Sequence, residues 1–127
     1  MFYILFYRSI NYTLMENNLF DWAEELDCAV TVCDTEGVIL YMNGRSRQVN
    51  AGGDSMVGQN LLPCHNDRSR GIIAHMLATG ESNAYTISKR GQRKMIYQTP
   101  WRRDGKICGL VEFSMVIPKE MPHYERK

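Results

Sequence analysis

The sequence has no charge imbalance, few prolines and no long apolar run. Its 127 residues include 15 Lys and Arg against 14 Asp and Glu, a formal net charge of +1, and only 4 prolines. Proteins that bind nucleic acid through phosphates need a basic face, so this balance argues against a nucleic-acid partner. The apolar segment Met1–Tyr7 is too short to span a bilayer and lacks the features of a signal peptide. We therefore expect no membrane partner.

Cysteine is present without the spacing of a metal site. The four residues form no CxxC pair and no zinc pattern; they are Cys28, Cys33, Cys64 and Cys108. A chain of this length can bury a core without disulfides. The cysteines are therefore expected to be reduced thiols in a cytoplasmic protein with no metal site.

The N-terminal residues allow two interpretations. Either Met15 is the true start and residues 1–14 are upstream sequence, or Met1–Tyr7 packs on a partner subunit. Asn17 or Asn18 can then cap a helix of two to three turns. The helix has an apolar stripe at i, i+3, i+4 and i+7, formed by Leu19, Trp22, Ala23 and Leu26. The stripe is expected to pack on its own sheet or on a second subunit.

The stretch from Asp34 to Asn43 predicts a hairpin turn followed by a strand. Asp34–Gly37 has turn chemistry, with an acid that can bond its own backbone and a glycine for positive φ. The flanking segments, 29–33 and 38–42, are rich in β-branched residues. Asn43 should end the second strand and cap a helical turn over 44–50.

The remainder of the chain predicts two helical segments and three strands. Residues 54–57 suggest one helical turn, and Pro63 prevents a continuous helix after it. Asp67 or Ser69 should cap a helix that ends at Gly80 and buries four apolar side chains, Ile72, Ile73, Met76 and Leu77. Strands are predicted at 84–88, 94–101 and 107–117. In the last strand, apolar residues such as Val111 and Phe113 alternate with Cys108, Glu112 and Ser114.

Taken in order, these segments resemble the PAS domain family. The matching pieces are the Asp34–Gly37 turn, the strand ending at Asn43, and residues 56–60, 78–81 and 104–109. The resemblance implies an α+β fold with a five-stranded antiparallel sheet, helices on one face and an N-terminal amphipathic helix. The implied organisation is an extension over 1–27, a PAS-like domain over 28–118 and a tail over 119–127.

The resemblance also raises the question of a coloured cofactor. Light-sensing relatives bond flavin through a Cys, and Leu61 stands at the matching position. Oxygen-sensing relatives hold haem by a His on the long helix, where this sequence has Ser69 or Gly71. His75 lies one turn further on, and Cys64 with His65 offers another axial ligand. We expect a colourless protein, with a haem or flavin sensor as the alternative.

Cys64 and His65 also invite a comparison with Cys-dependent enzymes. Neighbouring residues in an extended loop point in opposite directions, and no third orienting group is evident, so we expect no enzyme activity. The Leu62–His65 stretch is similar to a Cys-His motif in bacterial PAS domains found beside hemerythrin-like modules.

The resulting hypothesis is a sensory or ligand-binding module without an output domain of its own. It would signal through a partner protein or by forming a homodimer. A small apolar ligand would lie between the long helix and the sheet. Its apolar wall would come from Tyr97, Trp101, Phe113 and Met115, with polar contacts from Asn60, Cys64, His65 and Tyr85.

Overall fold

The computed structural model describes residues 20–127. The predictions about Met1–Tyr7, Met15, the Asn17 or Asn18 cap and Leu19 lie outside the described residues. None of the helices within residues 20–127 has the length and apolar character needed to cross a bilayer.

Four helical segments and five strands follow one another in the described part. In chain order they are α1 (Asp21–Glu24), β1 (Ala29–Asp34), β2 (Ile39–Met42), α2 (Gly44–Ala51), a 3₁₀ turn (Leu62–Cys64), α3 (Asp67–Thr79), β3 (Asn83–Lys89), β4 (Gln92–Arg103) and β5 (Lys106–Ile117). All five predicted strands are confirmed. The predicted helical turn over 54–57 is wrong, because residues 54–56 have no regular structure and the chain then turns over 56–59, where Gln59 N donates to Met56 O at 3.0 Å.

The strands form one antiparallel sheet in the order β2-β1-β5-β4-β3. Its inner face is the one that β1 and β5 turn towards α3, where Cys33 and Leu110 form a core cluster with Ile73 and Met76. Thr31 lies on the same face and its hydroxyl bonds that of Ser46 in α2. Both long helices therefore cover one face, as predicted.

The turn between β1 and β2 has the predicted chemistry. Asp34 Oδ1 accepts hydrogen bonds from Glu36 N and Val38 N, each at 2.9 Å. Gly37 has a φ of 88°, and a Cβ there would lie 2.9 Å from the Asn60 and Leu62 side chains. Glycine is therefore required by conformation and by space.

Asn43 caps α2 as predicted and is also completely buried. Its Oδ1 accepts from Ser46 N and from Val30 N, both at 2.9 Å. Its Nδ2 donates to Ala23 O and Cys28 O, both at 2.8 Å. One side chain thus joins α1, β1 and α2.

The N-cap of α3 lies one residue before Asp67, the first of the two predicted caps. This N-cap is Asn66, which accepts from Ser69 N at 2.8 Å, and neither Asp67 nor Ser69 has that role. Ile73 and Met76 are buried, whereas Ile72 is exposed. Gly80 ends the helix in a left-handed conformation, as predicted.

The described part of the N-terminal helix is one turn long. Ala23 is fully buried, but Trp22 is 61% exposed and Leu26 37% exposed. Of the described residues in the predicted stripe, Ala23 is therefore covered, whereas Trp22 and Leu26 remain exposed. Glu24 secures α1 by accepting from Tyr41 Oη at 2.6 Å and by an ion pair with Arg47.

Candidate functional site

A cavity of about 290 Å³ lies between α3, the 3₁₀ turn and the inner face of the sheet. Its apolar lining comes from β1, β2, α3, β5 and the connecting segments, and includes Cys33, Ile39, Met42, Met56, Leu61, Ile73 and Leu110. Its polar lining comprises Thr31, Asn50, Cys64, His65, Gln98 and Glu112. An apolar cleft with a few polar groups is the usual form of a small-molecule site.

Three polar side chains form a row across the inner face of the sheet. Asn83, Gln98 and Glu112 lie opposite one another in register on β3, β4 and β5. Asn83 Nδ2 donates to Gln98 Oε1 at 3.0 Å, and Gln98 Nε2 donates to Glu112 Oε2 at 3.0 Å. The register thus brings a carboxylate and its amide partner to the cavity wall.

His65 is oriented by the backbone of the turn that precedes it. Its Nδ1 lies 2.7 Å from Leu61 O. A carbonyl oxygen can only accept, so Nδ1 carries the proton, and Nε2 of the neutral ring is an acceptor. Pro63 at the start of the 3₁₀ turn shapes the loop that places this ring at the cavity.

A second cavity of about 570 Å³ adjoins the first and shares His65, Ile73, Gln98 and Glu112 with it. Tyr85 and Arg68 also line this cavity. Burial raises the pKa of the Tyr85 hydroxyl, and the nearby Glu112 charge raises it further. Glu112 therefore lines both cavities and acts electrostatically on Tyr85 in the second.

All four cysteines are free thiols. Cys33 is buried, and burial raises its pKa, with the Asp34 and Glu112 charges acting in the same direction. Cys64 is exposed at the cavity rim. Among the hydrogen bonds of residues 20–127, none joins the Cys64 thiol to the His65 ring, whose Nδ1 is held by Leu61.

Three of the predicted contact residues lie at the cavities. Cys64 and His65 line the first, and Tyr85 lines the second. Asn60 lies elsewhere, because its side chain donates to Glu36 O and accepts from Leu62 N and so supports the hairpin turn. His75 is on the exposed side of α3, where Nε2 lies 2.8 Å from Glu81 Oε2.

The residues of the predicted aromatic wall lie on the outer face of the sheet, not on the face that lines the cavity. Phe113 pairs with Tyr97 and Val30, and all three alternate with the inner-face residues Leu110 and Cys33. They therefore point to the outer face, away from α2, α3 and the cavity. Met115 follows the same alternation.

Trp101 lies on the outer face as well. It is paired with Gly109, and its Nε1 donates to Cys33 O at 2.9 Å. A Cβ on Gly109 would lie 1.8 Å from that carbonyl oxygen and 2.7 Å from Trp101 Nε1. The absent side chain thus lets the indole bond the backbone of β1, which is a structural role.

The sequence interpretation missed the polar residues of the inner face, above all Gln98 and Glu112. Alternation in the last strand separated Glu112 from the apolar residues, and the apolar side was assumed to face the helices. The signal that could have revealed Glu112 is the isolated acid in the middle of a strong strand pattern. An acid there implies either solvent or a polar site.

The residues that line the cavity can be compared with those that a metal ion, a flavin adduct and haem require. Within the described residues, no group of three or more His, Cys, Asp or Glu side chains is arranged to hold a metal ion. Leu61 lines the cavity and has no nucleophile for a flavin adduct. His75 does not line the cavity, so Cys64 and His65 are the residues there that could ligate haem iron.

No protein-family model and no curated protein matches this chain. Solved structures do match. The PAS domain of the histidine kinase ThkA is 16% identical, with a TM-score of 0.57 over 71% of this chain and 99% of that one. The Aer2 receptor from Vibrio cholerae, described as a dual PAS-heme oxygen sensor, is 19% identical, with a TM-score of 0.53 over 72% and 95%.

VqmA bound to DPO is a third match. It is 18% identical, with a TM-score of 0.61 over 84% of this chain and 58% of that chain. Together with the observed sheet and helices, these likenesses show that the described chain has a PAS fold, as the sequence resemblance implied.

Proposed function

We propose that this chain, whose fold is that of a PAS domain, is a sensory module that binds a small apolar or amphipathic molecule. The observation that supports the proposal is the cavity of about 290 Å³ between α3 and the inner face of the sheet. Side chains do not fill this space, which is a partly open cleft with the mainly apolar lining that is typical of small-molecule sites. VqmA and Aer2 match this fold and are described with DPO and with heme, respectively.

The test is ligand-dependent stabilisation of the full chain. A metabolite library is screened by thermal shift, and hits are checked by native mass spectrometry for one-to-one binding. Leu110→Phe should remove the stabilisation, because Leu110 lines the cavity and is only 7% exposed. Leu40→Phe is the matched control, since Leu40 is 42% exposed and does not line the cavity. A hit that stabilises both variants equally would place the binding elsewhere.

The signal is proposed to pass through self-association or a partner protein. Trp22 and Leu26 expose apolar surface in the single chain, and such surface often marks an association site. A Vibrio cholerae VqmA dimer is among the similar structures. A closed two-fold homodimer is the commonest arrangement that would cover the patch.

The homodimer is tested by light scattering at high micromolar concentration. Trp22→Glu with Leu26→Glu should yield a monomer that keeps the circular dichroism of the sheet. Ile87→Glu is a control, because Ile87 is 37% exposed on β3, at the sheet edge opposite β2, whereas α1 bonds Tyr41 of β2. A monomeric unsubstituted chain contradicts the proposal.

A haem sensor is the second candidate, and His65 is the observation that favours it. A histidine that ligates metal usually donates its other ring N–H to a carbonyl or carboxylate, as Nδ1 of His65 does. We still expect the protein from its native host to be colourless. A Soret band that disappears in His65→Ala and persists in His75→Ala would establish the second candidate instead.

We propose a cytoplasmic location for the chain. We also propose that Cys64 has no catalytic role. The proposal about Cys64 is supported by the lack of a hydrogen bond between its thiol and the His65 ring within the described structure. Iodoacetamide labelling of Cys64 as a function of pH tests this. A thiolate formed well below the normal range would favour the enzyme instead.

A further inference from the structure

Glu112 sets the electrostatic character of the cavity. Among the described residues that line the first cavity, it is the one Asp or Glu, and none is a Lys or Arg. None of the ion pairs among residues 20–127 involves Glu112. Arg68 lines the adjoining cavity and likewise makes no ion pair with Glu112. Within residues 20–127, the cavity wall thus presents a carboxylate that makes no ion pair with a Lys or Arg side chain.

The hydrogen bonds around Glu112 leave it able to accept more. Gln98 is oriented by Asn83, so its amide N–H, not its oxygen, points at Glu112 Oε2. A carboxylate has two oxygens and about four acceptor positions. Glu112 Oε1 accepts no hydrogen bond from any described residue. His65 adds a second acceptor, Nε2, to the same cavity.

We propose that the ligand of this cavity is an amphipathic amine or a similar cationic hydrogen-bond donor, which donates to Glu112 while its apolar part packs on Ile73 and Leu110. The inference depends on the proposed ligand-binding function. A buried or half-buried carboxylate favours a cationic or donating partner and repels an anion. Burial is the main cause of the raised pKa values of Cys33 and Tyr85, and the Glu112 charge acts in the same direction on both groups.

Four probes with one aromatic ring separate charge from shape: benzylamine, benzyl alcohol, toluene and benzoate. Each is titrated into the full ¹⁵N-labelled chain, and the amide shifts of Ile73 and Leu110 report cavity binding. Benzylamine should bind about tenfold more tightly than benzyl alcohol, since a charge-assisted bond is stronger than a neutral one. Toluene should bind weakly, and benzoate should not bind.

Glu112→Gln keeps the size of the side chain and removes its charge. The preference for benzylamine should disappear in this variant, while the affinity for toluene stays the same. Glu120→Gln removes the same charge from the exposed C-terminal tail and should change nothing. The ranking of the four probes on the unsubstituted chain does not depend on the folding of a variant.

The outcomes separate the two proposals. If toluene and benzyl alcohol bind in the cavity but benzylamine has no advantage, or benzoate binds as well, the inference about the amine is overturned and the binding function is retained. If Glu112→Gln keeps the benzylamine preference, the inference is likewise overturned. If none of the four probes shifts Ile73 or Leu110 at millimolar concentration, the proposed function and the inference both fail.

Discussion

Replacement of Asn43 by Ala should destabilise the protein far more than the loss of an ordinary helix cap. Asn43 and Asn66 both cap helices, with nearly the same backbone conformation: φ is −75° and ψ 176° at Asn43, and φ is −74° and ψ 172° at Asn66. Each accepts from the N–H three residues on. Asn66 does little else, whereas Asn43 makes three further hydrogen bonds in a fully buried position.

The expected magnitudes follow from that difference. Loss of an N-cap costs about 1 kcal/mol of unfolding free energy. Each of the three further bonds contributes about 1 kcal/mol, and more where a buried group is left without a partner. Asn66→Ala should therefore cost about 1 kcal/mol and Asn43→Ala about 4 kcal/mol.

Replacement of each asparagine by aspartate separates the capping role from the buried hydrogen bonds. Aspartate caps helices as well as asparagine does, so Asn66→Asp should be nearly neutral. At position 43, a carboxylate would point an acceptor at Ala23 O and Cys28 O inside the fold. Asn43→Asp should therefore be at least as harmful as Asn43→Ala at neutral pH.

Urea unfolding at 25 °C, followed by tryptophan fluorescence, measures the four free energies. Equal losses for Asn43→Ala and Asn66→Ala, within about 0.5 kcal/mol, would refute the reasoning. A harmless Asn43→Asp would refute the assignment of the two donated bonds.

Two further substitutions probe other contacts. Gly109→Ala should cost about 3–5 kcal/mol of unfolding free energy, because the added Cβ would collide with Cys33 O and alanine would also be strained at the positive φ of this position. Gly105→Ala is the control, since a Cβ at Gly105 would have no atom within 4 Å, and it should cost only about 1–2 kcal/mol in the same urea experiment. Glu24→Gln should lower the unfolding free energy by less than about 1 kcal/mol at pH 7, since the group is partly exposed. Arg47, and then Tyr41, lower the pKa of Glu24, so its contribution is present above pH 4.5, the unfolded value, and is lost as the pH falls through the folded pKa. The difference from the unsubstituted chain should therefore shrink as the pH is lowered below 4.5.

The elements that the sequence predicted well are those with a local cause. Asp34 and Gly37 specify a turn through bonds and conformations that span four residues, and Asn43 specifies a cap in the same way. The strands have alternating or β-branched patterns that hold wherever the strand is placed. The cap of α3 was misassigned because Asn66, Asp67 and Ser69 all have capping side chains, and only the backbone geometry distinguishes them.

The candidate site was predicted only where it coincides with an unusual local stretch. Cys64 and His65 stand out beside Pro63, and both do line the cavity. Tyr97, Trp101 and Phe113 were placed at the cavity because apolar aromatic residues were assumed to face the helices. The row of Asn83, Gln98 and Glu112 could not be found from the sequence, because its members are up to 29 residues apart.

The sequence by itself determined that β5 has two chemically different faces, and only the tertiary structure decided which face the helices cover. Alternation is a property of the strand alone, since successive side chains point to opposite sides. Which side becomes the interior depends on where α2 and α3 pack, through contacts such as Thr31 with Ser46 and Cys33 with Ile73. Those contacts join residues far apart in the chain. For that reason Glu112 lies in the cavity, and Phe113, the next residue, lies on the opposite face.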